Sequence, residues 1–89
     1  MKTKTREIKL LDNDTPARAE RLLRWAIENY AKLHDRTDLD FSEIEVDEDA
    51  GILRVEFTHR PEFQVHVSEV MDTNGDGSKL MLMVCRMLQ

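Results

Sequence analysis

The chain has 89 residues, of which 40% are apolar and 35% charged, and a formal net charge of -5. That is too apolar for a disordered chain and too evenly charged for a polybasic nucleic-acid tail, and it leaves room for one core, in one domain spanning residues 1–89. A single cysteine, Cys85, excludes an internal disulfide and a cysteine zinc cage, and no apolar run approaches the roughly 18 residues of a membrane span.

Residues 4–11 alternate, with Ile8 and Leu10 on one side, and read as a strand. Asp12, Asn13 and Asp14 then break it. Asp14 or Thr15 can cap a following helix, and Pro16 suits the first helical position, where a missing N–H costs nothing. The helix is expected from Pro16 to His34. Ala19, Leu22, Leu23, Ala26, Ile27, Tyr30 and Ala31 recur every three or four residues and form one apolar stripe. Trp25 falls at its boundary.

Beyond the helix the period becomes two. Ile44 and Val46 alternate with acids, Leu53, Val55 and Phe57 with polar residues, and Phe63, Val65 and Val67 with polar residues. Glu48–Gly51 and Arg60–Glu62 are the turns between these runs. Placing Asp47 opposite Ile52 pairs Val46 with Leu53 and Ile44 with Val55 on the inner face, and Glu45 with Arg54 on the outer face. Placing His59 opposite Phe63 pairs Phe57 with Val65, Val55 with Val67 and Glu56 with His66. Residues 79–88 are almost continuously apolar and fit either a fourth strand of the sheet or a short helix, with the strand preferred. The expected fold is therefore α+β. It is a two-layer sandwich of order β-α-β-β-β-β, with one amphipathic helix on a four- to five-stranded antiparallel sheet.

The charge is segregated. Residues 1–34 carry +3, residues 35–49 carry -7, and residues 50–89 carry -1. Glu43, Glu45 and Asp47 project from one face of a strand, and Glu48 and Asp49 extend that surface at the turn. Such charges protect a sheet edge from aggregation, and they also suit a basic protein partner. These five residues are the expected partner-binding surface, as in a small regulatory protein or an inhibitor of a nucleic-acid-binding protein. Arg18, Arg21 and Arg24, with Lys2, Lys4 and Arg6, offer the alternative of direct nucleic-acid contact, against which Glu20 and Glu28 interleave.

Read as a strand, the C-terminal run has two apolar faces. Met81, Met83, Cys85 and Met87 share one, and Leu80, Leu82, Val84 and Leu88 share the other. One helix cannot cover both, so the second set is the expected interface of a homodimer. Asp72–Ser78 resembles the first half of an EF-hand calcium loop, with Asp72, Asn74 and Asp76 as oxygen ligands and Gly77 at the sharp turn. Lys79 stands where the loop usually has an aliphatic residue, and Met83 where a bidentate carboxylate would close it. The same residues also make a good turn, and the resemblance implies at most a weak metal site.

His34, His59 and His66 fall at three separate places. Cys85 has no histidine at nucleophile–base spacing, and no phosphate loop or nucleophile elbow is present. The expectation is a protein that is not an enzyme and uses no cofactor. Met1–Arg6 leads into no signal-peptide core, so the expected location is cytoplasmic, with no membrane contact.

Overall fold

The computed structural model describes the backbone of residues 6–88 and the side chains of residues 15–41 and 43–88. The element order is helix α1 (Arg6–Leu33), a 3-10 turn (Thr37–Leu39), strands β1 (Phe41–Asp47), β2 (Ile52–Phe57) and β3 (Phe63–His66), then helices α2 (Val67–Met71) and α3 (Gly77–Met87). The fold is α+β, with a three-stranded antiparallel sheet of order β1-β2-β3. The helices pack on its inner face, and the outer face is open to solvent.

The expected N-terminal strand is corrected. Its residues 6–11 are helical, and Lys4 and Thr5 lie outside the described residues. Ile8 and Leu11 stand three and four residues apart in line with Thr15 and Ala19, so they continue the helical period, whereas two alternating residues barely define a strand. Asp14, Thr15 and Pro16 lie within α1 and do not start it. Pro16 removes the hydrogen bond to the carbonyl four residues back, a cost the helix absorbs. At its far end α1 closes in a Schellman turn. Arg36 N donates to Ala31 O at 2.8 Å, and Asp35 takes the left-handed conformation (φ 52°) more often given to glycine.

The first hairpin has the expected register, with Val46 opposite Leu53, Ile44 opposite Val55 and Glu45 opposite Arg54. A bulge at Ser42 adds one residue to β1, which places Phe41 opposite Phe57 on the inner face. The second hairpin differs. Leu53 pairs with Val65 and Val55 with Phe63, so the turn is wider than expected and Glu56 is not opposite His66. Inner and outer faces are unchanged by this slide, because it preserves the alternation. Val67 leaves the sheet to begin α2, and Glu69 Oε1 accepts from His66 N at 3.3 Å where the strand gives way to the helix.

The fourth strand is also corrected: residues 77–87 are helix α3. Asp76 caps it, its side chain accepting from Lys79 N at 3.1 Å. Leu80, Met83 and Val84 then fall on one face at helical spacing and are buried. One core cluster joins them to Ala19, Leu23, Ala26 and Ile27 of α1, to Ile44, Leu53, Val55 and Val65 of the sheet, and to Leu39 and Val70. Among the described residues the sheet therefore has three strands, and the layer above it is shared between α1 and the two C-terminal helices.

This packing separates neighbours on α3 sharply. Leu80→Ala is expected to lower unfolding stability by about 2–5 kcal/mol, because Leu80 is 1% exposed in the core. Leu82→Lys, at a site 58% exposed, is expected to change it by no more than about 0.5 kcal/mol. Denaturant unfolding of the two variants measures the difference, and equal losses would contradict the helix.

Candidate functional site

The outer sheet face is built by the alternation of three strands. Its rows run Glu43–Glu56, then Glu45–Arg54–Gln64, then Asp47–Ile52–His66. Glu48 and Asp49 are exposed on the turn beyond, and Glu62 immediately precedes β3. The five expected partner-binding residues thus share one surface, with Glu56 and Glu62 added to it. Asp47 is half-buried, and its side chain closes the turn by accepting from Ala50 N at 3.1 Å.

Arg54 is the one lysine or arginine on these rows. It donates to Glu45 at 2.7 Å and lies 3.5 Å from Glu62. The Glu45 hydrogen bond raises the Arg54 pKa above its ordinary value, and the charges of Glu45, Glu62 and Asp47 act the same way. Arg54 is thus engaged by its own chain and leaves the other carboxylates unneutralised. Glu43 and Glu56 stand directly opposite each other, an arrangement that disfavours the sheet. The sequence held a signal for Glu56, since the expected register of the first hairpin already places it opposite Glu43.

The other candidate residues are dispersed. Leu80 and Val84 belong to the core and Leu88 is half-buried against it, so only Leu82 of the expected homodimer set is exposed. The run expected as a two-faced strand is a helix, and Leu80, Met83 and Val84 are buried within the chain while Leu82 stays exposed. Trp25 is 44% exposed, and its ring lies 3.1 Å from where a Cβ on Gly77 would sit. It therefore packs closely on the start of α3, where a Cβ on residue 77 would require the ring to give by a few tenths of an ångström.

A short helix, α2, precedes the Asp72–Ser78 stretch, and α3 begins within it at Gly77. Asn74 and Gly75 take positive φ, Thr73 Oγ1 donates to Val70 O at 2.6 Å, and Asp76 is committed to its cap. Among the described residues, no three His, Cys, Asp or Glu side chains form a group that could hold a metal ion. Cys85 is half-buried against Tyr30, and their hydrogen bond raises the Tyr30 pKa. Tyr30 also stacks at 4.3 Å on His34, whereas His59 and His66 are exposed elsewhere.

On α1, Arg24 bonds Glu20 at 2.8 Å and lies over the Phe41 ring, while Arg18 and Arg21 are exposed. Lys2 and Lys4 lie outside the described residues, as does the Arg6 side chain. Among the described residues, no helix is long and apolar enough to cross a membrane. Comparison with protein-family models, curated proteins and solved structures finds no match.

Two carboxylates outside the acidic face have structural roles that titration and mutation can separate. Arg36 grips Asp38 with two hydrogen bonds of 2.8 and 2.7 Å, which lowers the Asp38 pKa from 3.8 to about 2. A carboxyl depressed in the folded state stabilises above its unfolded pKa, and that contribution fades as the pH falls through the folded value. Asp38→Asn is therefore expected to flatten the stability curve between pH 3.8 and about 2, as followed by thermal melts. Asp76→Ala is expected to cost about 1 kcal/mol through the lost cap, with or without added calcium. A loss that appears only with calcium would make the loop a metal site.

Proposed function

We propose that the chain is a non-enzymatic interaction protein that binds a basic protein partner on the acidic outer face of its sheet. The observation that carries this reading is the pair Glu43–Glu56. Edge protection accounts for acids on β1, which ends the sheet. It does not account for Glu56, because β2 is the central strand and has no free edge. The chain therefore keeps a like-charge pair that costs stability and serves no purpose in protecting the sheet.

A surface of carboxylates whose one guanidinium is internally bound steers and orients a positively charged partner. Proteins with a basic groove, nucleic-acid-binding proteins among them, have that complement. The chain would then act as a regulator or inhibitor by occupying the groove. Nucleic acid itself would be repelled by this face.

The test is affinity capture from the native host with the wild-type chain and with a variant carrying Glu43→Gln, Glu45→Gln, Asp47→Asn and Glu56→Gln. The expected result is a basic protein that the wild type retains at low salt and releases near 1 M salt, where charges are screened beyond about 3 Å. The variant is expected to lose it, while Glu56→Gln alone is expected to gain about 0.2–1 kcal/mol from relief of the Glu43–Glu56 pair. Equal retention of the same protein by both chains would overturn the reading.

A further inference from the structure

We infer that β1 takes its partner by edge addition: an extended segment with Lys or Arg at alternate positions and apolar residues between them pairs along Glu43–Asp47 as a fourth strand. This rests on the proposed acidic docking face and specifies how it is used.

β1 is an end strand, so alternate residues turn their N–H and C=O groups away from β2. Among the described residues, no backbone group outside the sheet hydrogen-bonds to the backbone of Glu43–Asp47. A shallow hollow lies at the turn end of β1, lined by Glu45, Val46, Asp47, Glu48, Asp49 and by Arg54 of β2. Val46 shows what the edge lacks. It faces inward but is only half-buried, whereas its neighbour Ile44 is 6% exposed. An apolar side chain on an added strand would cover it.

The charge pattern selects the segment. Residues two apart on any strand lie about 7 Å apart on the same face, so a Lys at every second position meets Glu43, Glu45 and Asp47 one for one. A second copy of β1 in antiparallel pairing would bring these acids against their like, so the same charges that admit a basic strand exclude self-association here. The bulge at Ser42 and the turn at Glu48 limit the ladder to five residues. The opposite edge offers less. β3 has four residues, carries uncharged Gln64 and exposed His66 outward, and runs straight into α2.

The test titrates the full chain with the end-capped heptapeptide Lys-Val-Lys-Val-Lys-Val-Lys, and with the same peptide methylated on its backbone nitrogens. Methylation keeps every charge and side chain but removes the donors. The expected result is saturable binding of the first peptide, slowed amide exchange within Glu43–Asp47, and binding at least about tenfold weaker after methylation. Equal binding of both peptides would overturn edge addition and leave charge-driven docking standing. Protection on β3 in place of β1 would overturn it as well. If neither peptide binds at low salt, edge addition and the acidic docking reading fall together.

Discussion

The inner face of the sheet has to be covered by helices from both ends of the chain. Leu53, Val55 and Val65 lie at 0–2% exposure there. One buried cluster joins them to Leu23 and Ile27 of α1 and to Leu80, Met83 and Val84 of α3. This makes the core one unit built from distant segments, in which the loop Asp72–Asp76 matters because it turns α3 back onto α1. Thr73 is buried in that loop with its hydroxyl bonded to Val70 O, and Trp25 packs on Gly77 where the next helix begins. A chain this short has little margin for a misplaced element, so the turn must be built as carefully as the helices it joins.

What could be read in the sequence follows from which patterns carry a unique period. The first hairpin was legible because its alternation is strict and its turn, Glu48–Gly51, is short. Together these leave one register that keeps Ile44 and Val46 inward. The second register was not, because the observed pairing differs from the expected one by an even slide. Such a slide keeps every residue on its own face, so the hydrophobic pattern does not distinguish the two. The length of the Arg60–Pro61 turn decides it, together with the departure of Val67 into α2.

The C-terminal run was hard to read for the opposite reason. With Leu, Met or Val at every position from 80 to 84, no period stands out against the background. Two local signals did favour a helix there: Asp76 three residues before Lys79 as an N-cap, and the rich supply of Leu and Met. Recognising them removes the main argument for a dimer, since two apolar faces of a strand become one buried stripe of a helix, with Leu82 on its outer side. The N-terminal strand failed in a similar way, with too few alternating residues to outweigh the continuing three- and four-residue spacing. The acidic surface was legible because charge at alternate positions of a strand has only one place to go. Its full extent needed the pairing, which brings Glu56 from the central strand alongside Glu43.

The one-sided construction of the fold is what makes that surface available. Every large buried side chain of the sheet points toward the helices, so the outer face contributes little to the core, and its residues can be chosen for another purpose. Arg54 moderates the repulsion there without neutralising it, since it is held by Glu45 on one side and Glu62 on the other. Exposed ion pairs of this kind add little to stability. Their effect is geometric: the guanidinium is held at the middle of the sheet, while among the described residues no ion pair reaches Glu43 or Glu56. A face arranged only for solubility would intersperse both signs. This face concentrates one sign over two strands and a turn, and the strand that carries most of it is the one whose backbone is still open to pairing.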